Sequence, residues 1–286
     1  MRFFLGCAFL LLALKSFAAT TYSTQIHQID RGNPGESPII MLANGLVATV
    51  AKGDGELLHQ LQAAQTEAGW INITLNRKKN IVALESIETP EKYEQLVQSE
   101  EKGINYTPSV FPSYNQAKAV FKKMNRRYND ESQCYNRAHV WSWEMYQKHH
   151  IRSMKIFVFF TPKYIRRYKF EWWFHVAPMV NVSEETGVTE RVMDFRYTNG
   201  PKSTREWTDT FMHNNAECTP VSKYTEYEFT RSNADAKDCM VLKVPMYYYQ
   251  PLDLEALDKK AAVREFWNEW EVGNAYREAF DYRSNQ

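Results

Sequence analysis

Neither sign of charge is in excess in this chain. It has 35 Lys and Arg against 34 Asp and Glu in 286 residues, a net charge of +1. Gripping nucleic acid takes a cationic footprint that neutralises phosphates, so that class of partner is set aside. No apolar run reaches the 18 residues that suggest a membrane-spanning helix; the longest, Phe3 to Leu14, has 12. There is no internal repeat, no low-complexity tract, no glycine-rich loop to cradle phosphate and no Cys/His spacing suited to zinc. Neither a metal nor a cofactor is therefore expected. Cysteine is scarce, at four residues. What remains is an ordinary globular balance of 44% hydrophobic and 24% charged residues, which excludes wholesale disorder and collagen-like structure.

The short apolar run has the layout of a secretion signal. Arg2 gives a positive start, and Ser16-Phe17-Ala18 puts small residues at the −3 and −1 positions. Residues 1–18 are therefore expected to be a signal peptide cut after Ala18, and the protein to be secreted or periplasmic, with no membrane contact after cleavage. The competing reading is a buried N-terminal helix or strand. Removing Arg2 and Lys15 takes the net charge from +1 to −1, and removing Cys7 leaves Cys134, Cys218 and Cys239. An odd count in an exported chain suggests one disulfide and one free thiol. Cys218 and Cys239 are the natural pair, closing a loop worth about 3 kcal/mol in the chain-entropy view. Cys134 is then free. The alternative is three reduced structural thiols.

Along the chain, residues 38–51 read as one or two strands, broken at the hairpin dipeptide Asn44-Gly45. Residues 56–68 read as a helix with Leu57, Leu58, Leu61 and Ala64 on one face and Gly69 as its stop. Strands follow at 70–75 and 80–84. Residues 88–110 are charged and punctuated by Pro90, Gly103 and Pro108, so they read as a linker. The expected domains are thus 19–104, small, β-rich and with one helix, and 105–286. In the second, Ser113 can cap a helix running to about Arg127. Another helix spans about 132–148, capped by Asp130 or Ser132, with Cys134, Ala138, Trp141 and Met145 on one stripe. Strands are expected at 155–160, 171–182 and 191–195, and helix over most of 252–280.

The candidate chemistry starts at Cys134. A free thiol in the first turn of a helix sits where the dipole favours negative charge, so it is a candidate nucleophile. A nucleophilic thiol needs a base. His139 is five residues on, about 140° around the helix from Cys134, and is expected to be structural. His149 and His150 suit the helix C-terminus as capping groups. His175 lies mid-strand, with Trp173, Ala177 and Met179 on its face by period two; it is either a satisfied core histidine or the base. Asp194 is an acid among apolar residues and needs a partner, either Arg191 or Arg196 nearby or His175. Cys at a helix start, His on one strand and Asp on the next is the order of papain-like and transglutaminase-like Cys-His-Asp sites.

Three segments carry a closer resemblance. Cys134-Tyr135-Asn136-Arg137-Ala138-His139 resembles the Cys-x-x-Arg-Ala-His motif of bacterial protein-glutaminases. The run from Trp173 to Val180 is similar to their Tyr/Phe-His-Val-Ala segment. Val192-Met193-Asp194, followed by Gly200-Pro201 and Trp207, is similar to their Ile-Asp-Pro-Ser…Gly-Pro…Trp segment, and the likeness reaches back to Ser113-Tyr114-Asn115-Gln116-Ala117. It covers about residues 105–240. Asp194 is followed here by Phe195-Arg196 rather than Pro-Ser, which puts the neighbouring substrate contacts in doubt.

The resemblance implies an α+β fold with a papain- or transglutaminase-like catalytic domain, in which the helix bearing Cys134 packs on an antiparallel sheet bearing His175 and Asp194. It implies a cofactor-free hydrolase acting on exposed glutamine side chains of proteins or peptides, by a thioester on Cys134. Ser132 or Gln133 would assist the Cys134 N–H as oxyanion donors, and Trp173 would line the glutamine slot or be plain core. It also implies a pro-region, which residues 19–104 would supply as an intramolecular inhibitor. Cysteine peptidase and transglutaminase chemistry run through the same triad and stay open, as does a non-catalytic binding module.

Overall fold

The computed structural model describes residues 19–88, 106–231, 237–258 and 264–280. The signal segment and most of the 88–110 linker lie outside these residues. The first part contains β1 (Thr20–Asp30), β2 (Ile39–Leu42), β3 (Val47–Thr49), α1 (Gly55–Thr66), β4 (Trp70–Leu75) and β5 (Ile81–Ile87). Its strands form an antiparallel sheet in the order β3-β2-β1-β4-β5. β4 shows why: Ile71, Ile73 and Leu75 alternate inward and are buried, while Asn72 and Thr74 alternate outward. Asp54 caps α1 by accepting from the Leu57 N–H at 3.1 Å, and Leu61 and Ala64 face the sheet. The helix was expected to stop at Gly69. The left-handed turn falls one residue earlier, on Ala68 (φ 50°), and the Gly69 N–H closes back on the Ala64 carbonyl.

The second part contains β6 (Val110–Phe111), α2 (Tyr114–Lys123), α3 (Cys134–His149), β7 (Met154–Phe160), α4 (Pro162–Tyr168), β8 (Phe174–Glu184), β9 (Gly187–Val192), α5 (Thr204–Thr208), β10 (Thr219–Val221), α6 (Tyr224–Arg231), β11 (Cys239–Pro245), α7 (Pro251–Asp258) and α8 (Glu269–Ala279). The sheet runs β10-β11-β7-β8-β6, with β9 paired to β8. β10 with β11 and β6 with β8 are parallel; the other pairs are antiparallel. This is a mixed α+β protein. α3 is buried on most sides, including Asn136, Arg137, His139 and Glu144, so it is a central helix rather than a surface one. α2 ends at Lys123, four residues short of expectation, because Met124 is extended and the Asn125 side chain turns the chain by accepting from the Arg127 N–H. The helix expected over 252–280 is two helices, α7 and α8. Cys218 and Cys239 form a disulfide, and Cys134 is free.

The two sheets share a core through the β2–β3 hairpin. Every residue of β2 is buried. Ile40 and Leu42 join the first sheet's own apolar cluster, whereas Ile39, Met41 and Val47 join the cluster built on β7 and β8. The Asn44-Gly45 turn carries the hairpin onto the chain just before β8. Leu46 bridges Trp172, the Val47 N–H donates to the Glu171 carbonyl at 2.9 Å, and the Trp173 N–H donates to the Gly45 carbonyl at 3.1 Å. Gly45 is required twice: its φ is +92°, and a Cβ there would meet the Phe174 ring at 3.0 Å. Arg166 of α4 clamps the far end, donating to Asp30 Oδ2 at 2.6 and 2.9 Å and to the Ser37 carbonyl at 2.9 Å.

Candidate active site

Cys134 is the first residue of α3, where a backbone N–H has no partner within its own helix. The residue before it, Gln133, takes the N-cap position with extended backbone and no side-chain cap bond. Neither Asp130 nor Ser132 caps the helix. Asp130 pairs with Arg196, and the Ser132 hydroxyl donates to the Asn129 carbonyl while accepting from Arg137 at 3.0 Å. Arg137 also donates to the Ser132 carbonyl, so a buried cation ties down the loop that delivers Cys134.

His175 sits on β8, opposite Val158 of β7. Its Nε2 lies 2.7 Å from Asp194 Oδ2, and both side chains are almost wholly buried. Asp194 was expected within a strand. It lies two residues past the end of β9, where the Met193 N–H bonds to the Pro178 carbonyl. The side chains of the arginines weighed as its partners are engaged elsewhere, Arg191 with Glu184 and Arg196 with Asp130, and Arg196 reaches Asp194 only through its backbone N–H, which donates to Oδ1 at 3.3 Å. Instead the Trp207 indole donates to Asp194 Oδ2 at 2.8 Å. Trp207 is thirteen residues downstream. Its role had no local signal beyond its place in the resembled motif.

Burial raises the Asp194 pKa, but the charge and hydrogen bond of His175, the Trp207 bond and the Arg137 charge outweigh it and hold the carboxyl below its ordinary value. Asp194 is therefore an acceptor, and the His175 Nε2 facing it carries the hydrogen. Nδ1 is left for the thiol side. Burial disfavours the imidazolium, yet the Asp194 charge and hydrogen bond, with smaller contributions from Cys134, push the His175 pKa up to about 9.

A cleft of about 410 Å³ opens on these groups. Cys134, His175, Ser132 and Gln133 line it, and so do Arg137, Trp172 and Tyr197. Trp173 does not. It is fully buried, stacks on His27 with ring centroids 4.3 Å apart, and donates from Nε1 to the Leu42 carbonyl at 2.8 Å. The alternation of β8 starts only at Phe174, so period two does not extend back to Trp173. Its neighbour Trp172 takes the place beside the histidine, stacked at 6.0 Å. The opposite wall comes from the first sheet, with Tyr22, Asn44, Gly45 and Leu46. Among the described residues, no group of three or more His, Cys, Asp and Glu could hold a metal ion. No helix there is long and apolar enough to cross a membrane.

A family model described as glutaminase matches residues 109–211, a stretch that contains Cys134, His175, Asp194 and Trp207. No curated protein matches. The fold is similar to the crystal structure of pro-protein-glutaminase, with a TM-score of 0.51 and 16% identity over 81% of this chain and 84% of that one. It is also similar to the crystal structure of the A47Q2 mutant of pro-protein-glutaminase, with a TM-score of 0.53 and 17% identity over 80% and 83% of the two chains. The family match over residues 109–211, together with the fold likeness, supports a protein-glutaminase relationship for that segment of the chain.

Proposed function

We propose that this protein is an exported protein-glutamine deamidase that carries its own inhibitor in residues 19–104. One observation carries the reading: a free thiol at a helix N-terminus and a buried His–Asp pair 2.7 Å apart line one cleft. In this reading α3 packed on β7 and β8 is the papain- or transglutaminase-like arrangement. Cys134 is the nucleophile, His175 the proton carrier and Asp194 the group that orients the ring.

The Cys134 thiolate attacks the carbon of a glutamine γ-carboxamide and forms a C–S bond. The resulting oxyanion is held by the Cys134 N–H and the Gln133 side-chain amide. His175, whose raised pKa keeps a proton on the ring, gives that proton to the nitrogen as the C–N bond breaks and ammonia leaves. Water then attacks the thioester and gives a proton to His175. The C–S bond breaks, leaving glutamate and the thiolate.

The hairpin turn at Asn44–Leu46 closes one side of the cleft and is hydrogen-bonded to the chain at 171–173. Residues 19–104 are in this way a lid over the proposed site, tethered through the linker at high effective concentration. The likeness to pro-protein-glutaminase spans 81% of this chain, more than the 182 residues from 105 to 286 could supply, which supports a shared pro-region. Burial of Ile39, Met41 and Val47 against the second sheet contributes on the order of 6 kcal/mol to holding the lid. Cutting within 88–110 removes the tether, and activity is expected to rise several-fold.

The test is intact mass spectrometry of a glutamine-rich protein incubated with the nicked chain. Ammonia release with gains of about 1 Da per glutamine and no chain cleavage is the expected result. Cleaved peptide bonds would replace this reading with a peptidase, and amine incorporation would replace it with a transferase. If the uncut chain is as active as the nicked one, the inhibitory role of 19–104 is wrong.

A further inference from the structure

Next to the Cys134 cleft lies a second groove of about 440 Å³. It shares Tyr22, Asn44 and Gln133 with the Cys134 cleft, so the two adjoin, and Gln133 alone stays between them once residues 19–104 depart. Its floor includes Tyr135 and Asn136, the two residues after Cys134. Its outer wall is α8, which lies well outside the segment that carries the family match. Trp270, Asn274 and Glu278 of α8 all line the groove, and their spacing of four puts them in one row along the helix. That row is about 12 Å long, which matches three to four residues of extended chain.

The facing wall is itself an extended chain. Thr21, Tyr22, Ser23, Thr24 and Gln25 of β1 run along it, presenting hydroxyl and amide side chains. Among the described residues no Lys or Arg lines the groove, and Glu278 is the only charged one that does.

We infer that Trp270, Asn274 and Glu278 form a second subsite, which receives the stretch of substrate chain flanking the target glutamine and favours neutral polar or basic residues over acidic ones. The inference rests on the deamidase reading and on departure of residues 19–104, whose β1 now covers the groove. The indole offers a flat face to the substrate backbone or an aromatic side chain, the Asn274 amide offers both a donor and an acceptor, and Glu278 selects the sign of charge at the far end. The substrate class is then a protein segment with hydroxyl-, amide- or lysine-bearing residues next to glutamine.

The experiment uses the chain nicked within 88–110 and three probes. These are a blocked Gln-Gly dipeptide, a nonapeptide with central Gln between Ser, Thr and Tyr residues, and the same nonapeptide with Asp and Glu in place of those flanks. Ammonia release gives kcat/KM, each value normalised to the dipeptide. The neutral peptide is expected to exceed the acidic one at least tenfold. Glu278→Lys is expected to shrink that ratio at least tenfold through KM, and Trp270→Ala to raise the KM for the neutral peptide by a similar factor. Peptide ratios that are the same in Glu278→Lys and in the unaltered chain would overturn the subsite. Should no probe be turned over, binding of the labelled nonapeptides to nicked Cys134→Ala protein decides. Tighter binding of the acidic peptide after Glu278→Lys would keep the subsite and discard the deamidase, and no peptide binding at all would discard both.

Discussion

Two histidines of this protein are almost fully buried, and they end up in opposite states. His175 faces Asp194 at 2.7 Å, and the carboxylate overcomes burial to push its pKa up to about 9. His139 faces Lys155, whose Nζ lies 2.7 Å from its Nδ1. Burial first, and then the charges of Lys155 and Arg264, drive its pKa well below the ordinary value. Burial lowers both pKa values; the opposite charge and hydrogen bond of Asp194 overturn it at His175, whereas the charges of Lys155 and Arg264 add to it at His139. The surroundings differ as well. His175 opens onto a cleft that also holds a free thiol. His139 lies in a closed cluster with Lys155, Glu271, Arg264 and Asp253. There Lys155 also donates to the Tyr248 carbonyl at 2.6 Å, and Arg264 spans Glu271 and Asp253 at 2.5 and 2.6 Å. The first arrangement suits proton transfer. The second pins the C-terminal helices onto α3.

The widest separation between the two clusters should appear in activity. Cys134→Ala, and separately His175→Ala, are expected to lower kcat/KM of the nicked chain by about 10⁴-fold while near-ultraviolet circular dichroism stays native. Substantial turnover by either variant would remove it from the proposed mechanism. Asp194→Asn should lie between these variants and the unaltered chain, because in the proposed mechanism Asp194 orients the ring and does not react.

The closed cluster should answer in stability instead. Glu271→Ala leaves buried Arg264 with Asp253 as its remaining acid partner in the cluster, and removing one member of a buried pair costs about 3 kcal/mol, or a Tm fall on the order of 10 °C. The kcat of the folded fraction should be retained. A Glu271→Ala protein with unchanged Tm and lost turnover would reverse the roles assigned to the two clusters.

The two sides were unequally legible in the sequence. Cys134 at a helix start, His175 on a strand and the need of Asp194 for a partner are local patterns, and so is the Asn44-Gly45 turn. Which partner Asp194 takes is not local, because Trp207 and His175 reach it through the sheet and a loop. The strand β1 escaped notice because it buries only Thr24 and Ile26 and so shows no apolar alternation. The run over 38–51 showed a strand but hid its function: both faces of β2 are buried, one in each sheet's core, and a uniformly apolar run cannot say against what. Lys155 is the polar residue whose signal is local. A lysine within Met154–Phe160, otherwise apolar, had to find partners in the core.

The smallest expected effect is the most specific, because the two clusters titrate in different pH windows. The His175 pKa is about 9 in the folded protein and near 6.5 in the unfolded chain. Below pH 6.5 both states hold the proton, and the stabilisation by Asp194 is fully present. Between 6.5 and 9 the unfolded chain releases the proton while the native one keeps it, so this stability is progressively lost. Glu271, raised to about 7 by burial and by Asp253 against the pull of Arg264, has the same sign one window lower. Its contribution is complete below its ordinary 4.5 and is lost as pH rises through 7. His139, with its lowered pKa, acts in the opposite sense below 6.5 and partly masks the Glu271 slope, so differences between variants are read rather than a single curve. Thermal melts of the unaltered chain, Asp194→Asn and Glu271→Gln from pH 5 to 9.5 provide them. Asp194→Asn should flatten the decline between 6.5 and 9 and leave the lower window as it was. Glu271→Gln should change the slope below 7; because the Glu271 charge also raises the pKa of Lys155, which burial holds well below its ordinary value, the upper window is read from Asp194→Asn alone. If both variants flatten the lower window, the two buried clusters are one coupled system, and the separation of chemistry from anchoring across α3 does not hold.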